Sequence, residues 1–326
     1  MKKAIWVSLA TFCSTSLDEK INPHDCEKIA MNKLLVQAGY EVWLVEPFKV
    51  KARQSSYPLT LSLEEAMDQQ WDLILFNSPG KASDQVLGGP WNSPRVEMVC
   101  DFLLQNKEKV LISIMDPRPD FVNVLNGWTP KRFHRLYDLL HSAQVLAPAP
   151  GLIKDTGRTI IAEYWKLLEW TPMPFNPNPI YSTVYVGVKK QTPHRRKLLQ
   201  KWFDGATNAF TAGPINIKGV KSLSDFKPIE VAEAMDLSFK SKTSFLCGER
   251  QHTWLTPRSI QALICGSIAS IDPEFAAMSC ISSELRDLLS CDACVKFDDE
   301  LHCKEVYDKQ VAFVSTLKET AKPLAV

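Results

Sequence analysis

The stretch Thr256-Pro-Arg-Ser-Ile-Gln-Ala-Leu-Ile-Cys-Gly-Ser-Ile-Ala-Ser-Ile-Asp272 leads a helix through a glycine into a strand. Thr256 opens the helix, and Pro257 suits its first position, where the missing N–H costs nothing. Gly266 stops it, and the β-branched run Ile268–Ile271 carries the chain on to Asp272. Helix and buried strand in direct succession are the working unit of a parallel α/β sheet. Arg258 and Gln261 stand three apart, so they share one face near the helix N-terminus, the end that attracts anions. An arginine and an amide there suit a diphosphate and a ribose. An amphipathic surface helix with Arg258 in water is the other reading of the same residues.

The same alternation runs outward from this stretch in both directions. Ala4–Leu9 reads as a first buried strand, His24–Ala38 as a helix ended by Gly39, and Glu41–Val45 as the next strand. Trp71–Phe76 and Val110–Met115 are two more strands, with a helix over Arg95–Asn106 between them. Thr171-Pro-Met-Pro-Phe-Asn-Pro-Asn-Pro179 holds four prolines in nine residues and can be neither helix nor central strand. It reads as a linker. Beyond it the pattern restarts, with strands over Thr183–Val188, Ala209–Ala212 and Ser244–Cys247 and a basic helix over Arg195–Phe203. The expected fold is α/β, with two Rossmann-like domains facing a central cleft. Residues 1–170 form an N-terminal domain, 171–180 the linker and 181–302 a second domain. A C-terminal helix in 303–326 packs back on the first domain. In such sheets ligands sit beyond the carboxyl ends of the strands.

Composition narrows the field. The chain has 326 residues, room for two cores of ordinary size, with 45% apolar and 23% charged residues. The net charge of +1 rules out a molecule that binds polyanions over its whole surface, so any nucleic-acid contact needs a local basic face. No run reaches the roughly 18 apolar residues of a membrane span. Nine cysteines, scattered through apolar segments, suit buried thiols in a reducing compartment, and a cytoplasmic monomer without a membrane contact is expected. Cys291-Asp-Ala-Cys294, with Cys280 and Cys303 nearby, leaves a tetrahedral metal site open beside the free-thiol reading.

Strand ends supply the candidate chemistry. Ile114-Met-Asp116-Pro-Arg118 places an acid and an arginine just past a buried strand; Asp116 suits a general base, or alternatively the start of a proline turn. Asn77-Ser78-Pro-Gly80 follows another strand and offers an amide and a hydroxyl to a sugar or phosphate, in a composition that turns also use. Val188-Lys-Lys-Gln-Thr-Pro-His-Arg-Arg-Lys197 puts cations at a helix N-terminus, which is unfavourable unless an anion joins them. Thr129-Pro-Lys-Arg-Phe-His-Arg135 interleaves charge with an aromatic, as nucleic-acid patches and ordinary amphipathic helices both do. There is no P-loop, no G-x-S-x-G elbow and no H-E-x-x-H motif in the chain.

The order and spacing of these pieces resemble the DNA β-glucosyltransferases of T-even bacteriophages, two-domain enzymes of the GT-B fold. Trp71–Ser78 is similar to their strand ending in Asn-Ser, and Ile114–Arg118 to the segment bearing their catalytic aspartate. Tyr185-Val-Gly187 with its following cations is similar to their diphosphate loop, and Thr256–Asp272 to their phosphate- and ribose-holding stretch. Gln261 stands where the family has glutamate, and Ala212-Gly213-Pro214 matches the family's second loop loosely. The resemblance implies a glycosyltransferase that moves glucose from UDP-glucose to a hydroxymethylated pyrimidine in double-stranded phage DNA, which evades restriction. It makes residues 1–170 the acceptor domain and 181–302 the nucleotide-sugar domain, and it assigns Asp116 as base and Gly187, Lys190, Arg195, Gly213, Arg258 and Gln261 to the donor. Asn77, Ser78 and Arg118 fall to the sugar or acceptor, and a divalent cation (Mg2+ or Mn2+) is a further expectation. A GT-B enzyme for a non-DNA acceptor and a catalytically silent binding protein are the alternatives.

Overall fold

The computed structural model describes residues 1–7, 23–45, 59–77, 94–114, 135–150, 157–187, 193–227, 229–247, 254–278, 281–289, 300–321 and 324. The chain divides into two compact units. The first comprises Met1–Glu19, His24–Leu167 and Ala321–Val326, and the second Lys20–Pro23 and Leu168–Thr320.

The first unit holds a seven-stranded sheet of β1 (Lys2–Val7), β2 (Tyr40–Val45), β3 (Thr60–Leu61), β4 (Leu73–Asn77), β5 (Val110–Ser113), β6 (Gln144–Ala147) and β7 (Thr159–Ile161). Its order is β3-β2-β1-β4-β5-β6-β7, and every pairing is parallel. Helices α1 (Pro23–Gln37), α2 (Leu63–Met67), α3 (Pro94–Gln105) and α4 (Tyr137–Ser142) alternate with the strands. Strands buried on both faces need continuous apolar runs, and Val110–Ser113 and the inner part of β1 are buried throughout. Trp6, Trp71 and Phe76 are among the largest side chains sealed in this core. The Trp71 indole N–H donates to the Ala66 carbonyl at 2.8 Å, which satisfies the one polar atom the ring carries inward. β1 starts two residues before the apolar run does, because the ladder extends to Lys2 opposite Tyr40.

The second unit repeats the plan with β8 (Tyr181–Val186), β9 (Ala209–Ala212), β10 (Lys221–Ser222), β11 (Ser241–Leu246) and β12 (Ile268–Ile271), ordered β10-β9-β8-β11-β12 and again all parallel. Its helices are α5 (Pro193–Phe203), α6 (Val231–Phe239), α7 (Pro257–Ile264), α8 (Pro273–Met278), α9 (Ser283–Leu289) and α10 (Glu300–Glu319). In each sheet the strand order reverses once beside the first strand, between β1 and β4 and between β8 and β11. Those reversals are where doubly wound sheets open a crevice for ligands.

The proline stretch, a linker by its composition, is fastened to the second unit. Met173 N–H donates to the Ile264 carbonyl and Asn176 N–H to that of Gly266, both at 2.9 Å. Within the second unit α10 lies on α7, α9 and β12, while Ala321–Val326 group with the first unit. Two buried polar groups explain its seat. Gln310 donates to the carbonyls of Leu263 and Ser267 and accepts from Ala269 N–H, and the Tyr307 hydroxyl accepts from Gly266 N–H at 3.0 Å. These bonds satisfy backbone groups that the end of a short helix leaves open.

Candidate functional site

Helix α7 forms as its sequence dictates. Thr256 has extended backbone at the N-cap, its hydroxyl accepts from Ser259 N–H at 3.3 Å, and Pro257 is the first helical residue. The helix is only eight residues long, too short to hold itself, and seven of them are buried. The outlier is Arg258. It is half-buried, and it lines a small cavity of about 20 Å³ with Gln261, Ser238, Ser244, Val184 and Val186. Arg258 and Gln261 therefore share one lining, as their spacing of three requires. Gln261 is 7% exposed, and its Nε2 amide has no hydrogen-bond partner among the described residues.

The surroundings of Arg258 are cationic. Burial pulls its guanidinium below the usual arginine range, and Arg195 pulls it further down, while Tyr185 and Cys247 act in the opposite sense. Tyr185 acts on it most strongly in the raising sense, and no carboxylate stands among the described groups that act on it. Arg195, from the first turn of α5, is 7% exposed. Tyr185, at 3%, is held well above its ordinary range, first by desolvation and then by Cys247; Arg195 and Arg258 both oppose that shift. Two like charges gathered around one buried phenol stabilise an anionic guest, since each guanidinium disfavours the other in its absence.

Two glycines keep the backbone open beside this cluster. A Cβ on Gly187 would lie 2.2 Å from Cε1 of the Tyr185 ring, so only glycine lets the chain leave β8 over that ring. Gly213 follows β9 with φ +92°, and a Cβ there would lie 2.2 Å from the Gly187 carbonyl oxygen. The two loops are thus pressed together backbone to backbone at the carboxyl ends of adjacent strands. Ser224 closes the arrangement: its hydroxyl accepts from Gly213 N–H at 2.6 Å and lies 3.2 Å from the Gly213 carbonyl. Bare backbone at strand ends near a helix N-terminus is what phosphate oxygens require.

Of the donor residues expected from sequence, Gly187, Arg195, Gly213, Arg258 and Gln261 fall in this one region of the second unit. Lys190 lies outside the described residues. In the first unit, Asn77 is the last residue of β4 and pairs with Ser113, the last residue of the neighbouring β5. The chain therefore leaves β4 and β5 at adjacent strand ends, next to the reversal between β1 and β4. Ser78, Asp116 and Arg118 lie outside the described residues. So do Cys280, Cys291 and Cys294, while Cys303 is buried and takes part in no disulfide.

Tyr185, in the sequence only the start of the diphosphate-loop likeness, takes a central place in the site, and Cys247 and Ser224 join it unforeseen. Tyr185 could have been found from its place at the end of an apolar strand, two residues before the glycine. Cys247 and Ser224 carry no such signal, because their positions depend on strands distant in sequence. The basic patch at Thr129–Arg135 loses part of its meaning: Arg135 is ion-paired with Glu97 and Asp101 of α3, and the other residues lie outside the described ones.

Comparison with solved structures finds the same architecture elsewhere. The chain is similar to a mutant of the β-glucosyltransferase of T4 phage in complex with UDP-glucose, with a TM-score of 0.58 and 13% identity over 98% of both chains. A structure of the DNA modifying enzyme β-glucosyltransferase, with and without its substrate uridine diphosphoglucose, gives 0.57 and 13%, covering 98% of this chain and 97% of that one. A further complex of the T4 phage enzyme with its UDP-glucose substrate gives 0.57 and 14% over 98% of each. At this identity the likeness establishes the fold, a GT-B arrangement of two doubly wound units. No protein-family model and no curated sequence matches the chain.

Proposed function

We propose that the chain is a glycosyltransferase that moves a sugar, glucose, from a UDP-sugar to a hydroxymethylated pyrimidine in DNA. The observation that carries this reading is the pair Arg195 and Arg258, which act on one buried Tyr185 hydroxyl beside the bare backbone of Gly187 and Gly213. A diphosphate is the guest that such a pair stabilises, and its negative charge grows as the sugar leaves. Preorganised cations aimed at that charge supply the largest share of the acceleration in sites of this kind. The likeness of fold to an enzyme described with UDP-glucose supports the choice of donor.

The reaction is a direct displacement at the anomeric carbon. The acceptor hydroxyl attacks, Asp116 takes its proton, and the bond to the diphosphate breaks. Arg195, Arg258 and Lys190 hold the departing UDP. Gln261 meets the ribose, with an amide that donates as well as accepts. Asn77, Ser78 and Arg118 orient the sugar and acceptor. The target base leaves the duplex stack to reach Asp116, as enzymes acting on bases generally require. For a divalent cation the residues give a poor fit: among the described residues no three His, Cys, Asp or Glu groups come together, and the charge near the diphosphate position is arginine. No step is routed through a metal.

A donor screen tests the reading. The protein is incubated with a panel of nucleotide sugars and hydroxymethylated DNA, and the digested nucleosides are identified by mass. A glucosylated nucleoside formed only from UDP-glucose is the expected result. Transfer from another nucleotide sugar, or only to a non-DNA acceptor, would replace the assignment. Within that assay Asp116→Asn should lower turnover by about 10²–10⁴, the typical contribution of a general base.

A further inference from the structure

Charge is unevenly distributed along the second unit. Residues 181–227 hold nine Lys or Arg against two Asp or Glu, although the whole chain carries only +1, so the remainder is acidic on balance. The described residues of this stretch form β8, α5, β9 and β10, one flank of the second sheet. Helix α5 contains no acidic residue, and Arg196, Lys197 and Lys201 are exposed on it. Lys218, Lys221 and Lys227 are exposed on the segment after β9. One apolar cluster ties the two groups together: Leu199 and Phe203 of α5 pack with Ile215 and Ile217, which alternate with exposed Asn216 and Lys218. None of the six cations forms an ion pair among the described residues, whereas lysines elsewhere do, such as Lys240 with Asp236 and Lys304 with Asp308.

The turn that ends this segment is unusual in two ways. Asp225 and Phe226 both adopt left-handed backbone, at φ +47° and +60°, a conformation that side-chain-bearing residues rarely take in succession. Phe226 is also 47% exposed, one of the few large apolar side chains left in water. The turn is fixed by the bond from Lys227 N–H to the Ser224 carbonyl and by the Ser224 hydroxyl on Gly213. An aromatic is thus held out beside Lys227, at the strand-end side of the sheet where the candidate site lies.

We infer that this flank, α5 with the Lys218–Lys227 segment, is a binding surface for the phosphate backbone of nucleic acid, with Phe226 stacking on or wedging between bases. Unpaired cations attract phosphates without regard to sequence, and an exposed aromatic among them meets the π-face of a base. An acidic protein or an anionic membrane would use the cations but gives Phe226 no comparable partner in the first case and no fixed position in the second. The inference rests on the DNA acceptor proposed above and names the face of this chain that holds it.

The test is binding of a 20-base-pair duplex by fluorescence anisotropy across a salt series, with UDP affinity measured in parallel by calorimetry. The slope of log affinity against log salt is expected to flatten by about 0.9 for each phosphate that is no longer neutralised. Replacing Lys218, Lys221 and Lys227 by Gln, or Arg196, Lys197 and Lys201 by Gln, should therefore flatten it by roughly 2–3. Phe226→Ala should weaken DNA binding several-fold and leave the slope as it is. A control triple, Lys107, Lys304 and Lys309 to Gln, makes the same charge change elsewhere and should leave most of the slope. Equal effects of the control and flank triples would overturn the inference, as would flank triples that weaken binding to anionic vesicles but not to DNA. A parent that binds UDP but no DNA would overturn both this surface and the DNA acceptor while leaving the donor reading intact. If DNA binds and UDP does not, the donor reading fails and the surface stands.

Discussion

Arg258 owes its position to a covalent fact, its place one residue after a proline at the start of α7, and its environment to residues far away. The described groups that act on it are Arg195, Tyr185 and Cys247, with no carboxylate among them. Arg258→Ala should weaken UDP binding by about 1.5–3 kcal/mol, the scale of a hydrogen bond to a charged group. Gln261→Ala should cost about 0.5–1.5 kcal/mol, as a neutral hydrogen bond does. Calorimetry of both variants checks the order, and equal losses would argue that Gln261 acts through Arg258. Asp272 offers a pH test nearby. Its carboxyl accepts from Phe275 N–H at 3.0 Å, yet burial holds its pKa above the ordinary value. A raised carboxylate contributes stability below its unfolded value, near 3.8, and that contribution is lost as pH rises through the folded value. Asp272→Asn keeps an acceptor for Phe275 and removes the titration. Its melting temperature should therefore fall less than the parent's as pH rises from about 4.

At the scale of elements, α7 is the piece that binds the unit's logic together. It is capped at one end by Thr256 and at the other by groups from α10 and the proline stretch. Removing the cap with Thr256→Ala should lower stability by about 0.5–2 kcal/mol in a chemical melt. Tyr307→Phe removes a hydroxyl that serves Gly266 N–H and the carbonyls of Met173 and Ile264. Leaving the Gly266 N–H unmatched in the interior should cost about 1–3 kcal/mol. Hydrogen exchange localises the loss: the amides of Met173 and Asn176, bonded to Ile264 and Gly266, should exchange faster in Tyr307→Phe, while those of β1 and β4 should not. Uniformly faster exchange would mean that α10 supports the whole chain and not this corner.

At the scale of the whole molecule, two units with separate cores predict a local response to ligand. UDP at 100 times its dissociation constant should stabilise the state it binds by about 2.7 kcal/mol. The added protection should fall on Gly187, Gly213 and α7 in the second unit and leave the first sheet unchanged. The sequence by itself determined the alternating strands and helices, the cap and proline of α7, and the glycines after β8 and β9. Those features are local: periodicity, missing N–H groups and missing Cβ atoms act within a few residues. Strands of two or three residues such as β3, β7 and β10 escaped it, because so short a run carries no period. Tertiary structure alone decided that Gly213 presses on Gly187, that Arg195 and Arg258 meet at Tyr185, and that the proline stretch is pinned by Tyr307. Each joins residues brought close by the strand order β10-β9-β8-β11-β12. No local residue pattern states that order, so sequence pointed separately to Arg258 and to the cations before α5, and only the strands laid side by side gathered them with Tyr185, Gly187 and Gly213 into one region.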